Sequence, residues 1–376
     1  MTRPWFRAPA LVPVRLLCSV ALSAAVAACS STGSPSSIGS SSAIATSAPP
    51  SVVASTPTVT PSLPPATAGP TIPASELKGR ILVGRAGGKY GDATIFTANA
   101  DGTNDVRIGG FLADRTTCCP RWTADGTHIS IVVEVGDDRF GTGVIEPNGE
   151  DLRVFKLPGT FLGACVPSAA HAPLRICEAG MNDDPALGGI YTVKAADGSN
   201  PKPVIVGSDA GLGLPLDITP DGKVVAFLGK IVGGPTGIDQ GAPYGSVWMV
   251  NVDGSSPHRV TPDGLYALGG RFSPDGQWFL FGSIGRSGSP LWVVRPDGTD
   301  FHVIYQPSDR YAAIQPTWSP DGRFILFSLD PPDTIATLTI APPNRLCVIR
   351  ADGSDLTCII DTPDHKIWAD WTATTG

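Results

Sequence analysis

Residues 317–322 read Thr-Trp-Ser-Pro-Asp-Gly, and the same arrangement returns along the chain. Close copies begin at Arg121, Asp217 and Arg271. Two shorter copies, Cys165-Val166-Pro-Ser and Asp370-Trp371-Thr-Ala, complete a series of six. The apolar residue of each copy, which we call its anchor, recurs roughly every fifty residues, a spacing typical of repeat proteins. The anchors are Trp122, Val166, Ile218, Phe272, Trp318 and Trp371.

A second motif alternates with the first. It is an Asp-Gly or Asn-Gly pair that follows an apolar stretch, as in Val247-Trp-Met-Val250. In both motifs Asp can bond to nearby backbone amides and Gly accepts positive φ, so both motifs predict tight turns between strands. The pairs are Asp101-Gly102, Asn148-Gly149, Asp197-Gly198, Asp253-Gly254, Asp297-Gly298 and Asp352-Gly353.

Each repeat therefore predicts four strands, A to D, with strand A ending at the anchor. Strands B and C are apolar at nearly every position, as expected for a sheet that neighbouring sheets cover on both faces. Four-stranded sheets stacked around an axis form a β-propeller. We predict an all-β fold, a six-bladed propeller with four-stranded blades.

The ends of the repeat series are incomplete in a complementary way. The last repeat supplies only a strand A, at 367–371, whereas the first supplies strands B, C and D at 80–85, 94–98 and 106–108. The two ends are therefore expected to build one blade together, so that the ring has no free sheet edge.

The motif Trp-Ser-Pro-Asp-Gly, followed by an apolar strand and then by a strand ending in Ala-Asp-Gly-Ser/Thr, resembles the propeller repeat of TolB and its relatives. The resemblance covers residues 80–372 and is good in four of six repeats. TolB proteins carry an N-terminal α/β domain before the propeller, whereas this chain has a linker there. A role in the Tol complex is therefore not implied.

The first 75 residues predict an export signal and a tether. Three arginines precede an apolar run that is too short to span a bilayer, and the run ends in Val26-Ala-Ala-Cys29. This ending resembles the lipobox of bacterial lipoproteins, which implies cleavage after residue 28 and lipid on Cys29; the alternative is an ordinary signal peptide. Residues 29–75 are rich in Ser, Thr and Pro and predict a disordered linker. The propeller is assigned to residues 76–376.

Composition and motifs exclude several functions. All 34 acidic residues lie from Glu76 onward, and the sequence has no basic cluster, so we expect no nucleic-acid partner. The chain contains no nucleophile elbow, zinc-protease or Walker motif. Its five histidines are scattered, without metal-ligand spacing. The sequence therefore predicts no catalytic motif, no metal site and no cofactor.

Six cysteines fall within the predicted propeller. Cys347 and Cys358 are equidistant from the Asp352-Gly353 turn, and Cys165 and Cys177 flank a predicted hairpin, so each pair is within cross-strand reach. In an exported protein both pairs are expected to form disulfides, although buried thiols are an alternative. Cys118-Cys119 is compatible with a vicinal disulfide or with two thiols.

Loop length suggests which face of the propeller binds partners. The A–B and C–D turns are short and uniform and define what we call the tight-turn face; the B–C and D–A connections define the long-loop face. Long, diverse loops on a rigid scaffold usually carry function. The binding candidates on this face are Arg115, Asp138, Arg139, Asp184, Tyr244, Arg286, Arg310, Tyr311, Asp333 and His365.

Three functions are compatible with these features. The first is a monomeric binding or scaffold protein, anchored by lipid to the bacterial cell membrane and facing the periplasm or the exterior, with a protein or envelope ligand on the long-loop face. The second is a propeller enzyme, such as a lactonase-like hydrolase or a sugar dehydrogenase, whose site is assembled from several blades. The third is a wall-associated structural protein.

Overall fold

The computed structural model describes most of the propeller. The described residues are 71–86, 94–108, 117–123, 125–136, 139–155, 165–166, 174–179, 189–194, 198–206, 214–229, 245–262, 265–284, 288–308, 310–332 and 342–373. The predicted signal peptide, Cys29 and the linker up to residue 70 lie outside them. Among the described residues, no helix has the length and apolar character needed to cross a bilayer.

Twenty-four strands form six four-stranded antiparallel sheets. In chain order they are β1 (Arg80–Ala86), β2 (Thr94–Asn99), β3 (Val106–Arg107), β4 (Thr117–Trp122), β5 (Ile129–Gly136), β6 (Arg139–Ile145), β7 (Arg153–Phe155), β8 (Cys165–Val166), β9 (Leu174–Ala179), β10 (Gly189–Lys194), β11 (Lys202–Val206), β12 (Leu214–Ile218), β13 (Val224–Gly229), β14 (Ser246–Asn251), β15 (His258–Arg259), β16 (Tyr266–Phe272), β17 (Phe279–Ile284), β18 (Leu291–Val294), β19 (His302–Tyr305), β20 (Ala312–Trp318), β21 (Phe324–Asp330), β22 (Arg345–Arg350), β23 (Thr357–Ile360) and β24 (His365–Thr372). One 3₁₀ turn, Ala74–Glu76, precedes β1.

The sheets are the predicted blades. Blade 1 has the order β24-β1-β2-β3, and blades 2 to 6 take four consecutive strands each, from β4–β7 to β20–β23. The six-bladed propeller and its shared first blade are therefore confirmed. The ring closes through antiparallel pairing of β1 with β24, in which Ile81 lies opposite Trp371.

The A–B turns form as their sequence requires. In blade 4 the Asp221 carboxylate accepts hydrogen bonds from the Thr219 hydroxyl (2.7 Å) and the Lys223 amide (3.1 Å). Gly222 has a φ of +73° and donates its amide to the Thr219 carbonyl at 2.8 Å. Ser273 and Asp275, and Ser319 and Asp321, repeat the hydroxyl–carboxylate contact in blades 5 and 6. The Ser/Thr-Pro-Asp-Gly motif is thus a self-bonded turn.

The glycine of several C–D turns serves packing as well as turn geometry. A Cβ on Gly353 of blade 6 would lie 2.0 Å from the Ile304 carbonyl oxygen of blade 5. Gly102 approaches the Ile359 carbonyl of blade 6 in the same way, at 2.3 Å. These turns therefore lie directly on the outer strand of the preceding blade, and only glycine leaves the room for that contact.

The packed region begins before the predicted boundary at residue 76. Ile72 is buried, and its amide donates to the Thr357 hydroxyl at 2.8 Å. Its side chain packs in the cluster that includes Phe324 of blade 6 and Ile81 of blade 1. Ile72, which its Ser/Thr/Pro-rich context places in the linker, is therefore part of the seam between the first and last blades.

The core lies between blades. Every residue of β21 is buried, on both faces of its sheet. Phe279 and Phe281 of blade 5 share one cluster with Ala226 and Met249 of blade 4. This two-sided burial confirms the prediction from the continuous apolar character of strands B and C.

Candidate functional site

The innermost strands of the six blades line the central channel. In order around the ring they are β24, β4, β8, β12, β16 and β20. The residue immediately before each anchor lies at the same level of the channel, and we call these six the ring residues. In the same order they are Asp370, Arg121, Cys165, Asp217, Arg271 and Thr317. The pattern Asp, Arg, small residue occurs twice, so like charges lie opposite each other.

A bulge precedes the ring residues in most of these strands. The register shifts just before the ring residue in β4, β12, β16, β20 and β24. Cys119, Gln315 and Trp368 take positive φ there, as does Gly269. A bulge redirects the side chains near it, so it helps to aim the ring residues at neighbouring blades.

The two ring carboxylates link one blade to the next. Asp370 of blade 1 accepts the amide of Trp122 in blade 2 at 2.7 Å, and Asp217 of blade 4 accepts the amide of Phe272 in blade 5 at 2.9 Å. The Thr317 hydroxyl donates to the other oxygen of Asp370 at 3.3 Å. These bonds satisfy amide groups at the inner edge of the sheets, where no further strand is present.

Arg121 reaches past blade 3. Its guanidinium donates to the Leu216 carbonyl of blade 4 at 2.9 Å and contacts the Asp217 carboxylate at 3.4 Å. Burial, and after it the charge of Arg271, lowers the pKa of Arg121 to about 10, so it remains a cation at neutral pH. Burial raises the pKa of Asp217 and of Asp370, and the arginines oppose that rise.

A second polar cluster lies at the long-loop end of the seam between blades 6 and 1. The buried Lys366 amine donates to the Asn344 carbonyl (2.7 Å) and the Asp364 carbonyl (2.8 Å), and to the Thr362 carbonyl. The Asn344 amide donates to buried Asp330 at 2.6 Å. Burial lowers the pKa of Lys366 and raises that of Asp330. No sequence motif marks this cluster, because its members come from the ends of three different strands.

The structure corrects two of the predicted binding residues. His365 was assigned to a loop, but it begins β24 and is fully buried, with Nδ1 2.7 Å from the Pro342 carbonyl and Nε2 3.8 Å from Asp330. Tyr311 is also buried, at 7% exposure. Both side chains pack beneath the face and are not part of an exposed surface.

The remaining candidates keep their assignment as predictions. Arg310 is exposed at the long-loop end of blade 6, before β20. Arg139 begins β6, next to a B–C connection, and its side chain is outside the described set. Arg115, Asp138, Asp184, Tyr244, Arg286 and Asp333 lie outside the described residues.

Both expected disulfides are present. Cys165–Cys177 joins β8 to β9, and Cys347–Cys358 joins β22 to β23, each between directly opposed residues. Cys165, Cys177 and Cys347 are buried. Cys119 is half-buried at the channel, and the Cys118 side chain lies outside the described residues.

The ring is suited to binding and to holding blades together. The oxygens of Asp217 and Asp370 accept bonds from the amides of neighbouring blades, which hold those blades together. No group of three or more His, Cys, Asp or Glu side chains in the described part of the chain is arranged to hold a metal ion.

These features define a six-bladed propeller with Pro-Asp-Gly turns, a shared closing blade and a charged ring in its channel. Among solved structures it is similar to TolB from Acinetobacter baumannii (17% identity, TM-score 0.57, covering 78% of this chain and 66% of that one). It is also similar to putative TolB from Agrobacterium tumefaciens (16% identity, TM-score 0.55, covering 76% and 90%). The predicted TolB-like propeller is confirmed as a fold.

The same architecture occurs in an enzyme. Kuenenia stuttgartiensis hydrazine synthase matches at 12% identity with a TM-score of 0.56, over 79% of this chain and 47% of its own. At such identities the likeness shows the fold alone. No protein-family model and no curated protein sequence matches the chain.

Proposed function

We propose that this protein is an extracytoplasmic binding or scaffold protein, held at the bacterial membrane by lipid on Cys29, that recognises a protein or envelope ligand with its long-loop face. The TolB-like propeller and the two disulfides, which are typical of proteins outside the cytoplasm, support this role. The observation that carries the choice of face is the place where the N-terminal segment meets the propeller.

Residues 72–76, which we call the strap, dock on the tight-turn face of blade 6. The Glu76 carboxylate accepts two bonds from Arg350, at 3.0 and 3.1 Å, and one from Arg323 at 3.0 Å. Arg350 and Arg323 flank the C–D and A–B turns of that blade, and they hold the pKa of Glu76 below its usual value. Ile72 is fixed to Thr357 beside them.

The described chain therefore begins at the tight-turn face, and in this proposal the lipid on Cys29 anchors the propeller from that side. An anchor attached from that side leaves the opposite face unobstructed, pointing away from the attachment point. A partner that approaches the anchored protein from the envelope then meets the long loops first.

Charge reversal on each face tests this assignment. With the full chain immobilised as bait in an extract of its own envelope, Arg139→Glu, Arg310→Glu and Asp333→Lys should weaken capture of a partner. Lys223→Glu and Arg153→Glu are matched controls on the tight-turn face, where these side chains are 76% and 67% exposed. Equal capture by both sets would refute the face assignment, and capture no greater than that of bare resin would contradict the binding role.

Aspartates in the turns are unsuitable controls. Asp253, for example, accepts the Ser255 amide at 3.0 Å and the Ser255 hydroxyl at 2.6 Å. Its reversal would disturb the turn itself, so a loss of binding would have no clear meaning.

A further inference from the structure

Arg271 is the ring residue whose charge meets no counter-charge within 4 Å among the described residues. In the same part of the chain its guanidinium donates one hydrogen bond, to the carbonyl of its own neighbour Gly270 at 2.8 Å. Its Nε is buried and has no acceptor. No carboxylate within the described ranges approaches this guanidinium to 4 Å, whereas Arg121 contacts Asp217 at 3.4 Å.

The nearby carboxylates are engaged elsewhere. Asp217 is held by the Phe272 amide and by Arg121, and Asp370 by the Trp122 amide and by Thr317. Turning either carboxylate toward Arg271 would break a bond that joins two blades and leave a buried amide unsatisfied. The ring therefore cannot pair Arg271 from its own residues without that loss.

A buried charge is costly unless an opposite charge pairs with it in contact, and a bound anion would supply that contact for Arg271. Arg271 and Asp370 are both partly exposed, so the channel admits solvent to this level. Arg271 is also close enough to Arg121 to lower its pKa, and an anion at Arg271 would be attracted by both guanidiniums.

The charge of the ring selects the kind of anion. Two arginines and two aspartates give the ring no net formal charge. One negative charge on a ligand can be paired with Arg271, but a second would face Asp217 and Asp370. A guanidinium also matches the two oxygens of a carboxylate in a planar, bidentate arrangement. A monocarboxylate therefore fits better than a divalent phosphate.

We propose that Arg271 is the receptor for a carboxylate group that enters the central channel, supplied by a small organic acid or by a peptide. The ring residues lie next to the anchors that precede the A–B turns, so the site is near the tight-turn end of the channel. It is thus separate from the long-loop face and does not depend on the function proposed for that face.

The test is thermal unfolding of the purified full chain in sodium acetate against sodium chloride at equal ionic strength. For a dissociation constant of about 20 mM, 200 mM acetate should raise the Tm by about 2 °C. Arg271→Gln should abolish the rise, and Arg271→Lys, which keeps the charge but loses the planar fork, should lose most of it. Arg153→Gln removes an exposed arginine and should keep the full rise.

Further arms identify the source and the class of the anion. Acetyl-Gly-Asp-Gly-amide carries its carboxylate on a side chain, and acetyl-triglycine carries it at the C-terminus; a stronger response than to acetate from either one indicates a peptide ligand. A larger rise with phosphate than with acetate would overturn the monocarboxylate assignment.

No rise in the unmodified protein, or a rise that survives in Arg271→Lys and in Arg271→Gln, would overturn the site. If Arg271→Gln does not fold, Arg271→Lys, which keeps the charge, decides: a full rise in that variant overturns the site.

Discussion

Replacing Gly353 with alanine is expected to disrupt the contact between blades 5 and 6. The substitution has two separate costs. Gly353 has a φ of +86°, a conformation that costs an L-residue about 1–2 kcal/mol. The new Cβ would also lie 2.0 Å from the Ile304 carbonyl oxygen, so the turn or the outer strand of blade 5 must move by about 1 Å. Such overpacking typically costs about 1–3 kcal/mol more.

Gly298 provides a matched control. It occupies the same position of the C–D turn in blade 5 and has a φ of +84°, but the nearest atom to its Cβ position is Val260 Cγ1 at 3.7 Å, an ordinary contact. Gly298→Ala therefore carries only the backbone cost. The difference between the two variants isolates the contact between the blades.

Equilibrium unfolding in urea, followed by tryptophan fluorescence, measures both variants. We expect Gly298→Ala to lower the free energy of unfolding by about 1–2 kcal/mol and Gly353→Ala by about 2–5 kcal/mol. Equal losses would refute the reasoning, because they would show that the carbonyl of the preceding blade does not restrict the Asp-Gly turn.

Three further predictions concern the anchor, the disulfides and the strap. Cys29→Ala should release the protein from membranes or leave its precursor unprocessed; a variant that stays wholly in the membrane fraction at the mature mass would contradict lipid anchoring. Non-reducing peptide mapping should find Cys347 joined to Cys358, and replacing both with serine should cost about 2–3 kcal/mol, because the bridged loop is short; quantitative alkylation without reductant would exclude the bridge. Ile72→Ala should cost about 2–4 kcal/mol by removing a buried side chain from the seam, while an unchanged Tm would show that the strap does not stabilise the propeller.

The sequence carries the fold because its decisive signals are local and repeated. A Pro-Asp-Gly turn is specified by three adjacent residues. Each blade has one anchor, so the number of anchors in the sequence gives the number of blades. The pairing of β24 with β1 follows from counting strands at the two ends, even though Trp371 and Ile81 are far apart in the sequence. The disulfide between Cys347 and Cys358 follows from the symmetry of its hairpin.

The ring was visible in the sequence only in part. Around the ring, the residues before the anchors follow the order Asp, Arg, small residue twice. An alignment of the six repeats is enough to show this order. Their contacts could not be derived in this way, because Asp370 meets the Trp122 amide across 248 residues of sequence. The positive φ of Gln315 and Trp368 also has no local signal, since it is imposed by the bulge and by the bond from the Trp368 amide to Gln315 at 2.7 Å.

His365 shows why strand ends are difficult to place. Its neighbours Asp361 to Asp364 are polar and are typical of a loop, yet His365 is buried, with Nδ1 2.7 Å from the Pro342 carbonyl and Nε2 3.8 Å from Asp330. A polar residue of this kind looks like a surface residue in the sequence, but in the structure it lies in the core beside other buried polar groups. Composition therefore misassigned it.

The two faces of the propeller differ in how freely their residues can change. On the tight-turn face, the Asp of a turn such as 251–255 closes the turn through its own hydrogen bonds, and glycines such as Gly102 and Gly353 leave room for carbonyls of the preceding blade. The strap occupies part of the same face through Glu76, Arg350 and Arg323. A substitution in these positions changes the packing between blades before it can change recognition.

The B–C and D–A connections of the opposite face vary in length and sequence from blade to blade. For this reason we expect recognition by the loops to reside on the long-loop face, while the separate site proposed in the channel depends on Arg271, which has no carboxylate within 4 Å in the described part of the chain.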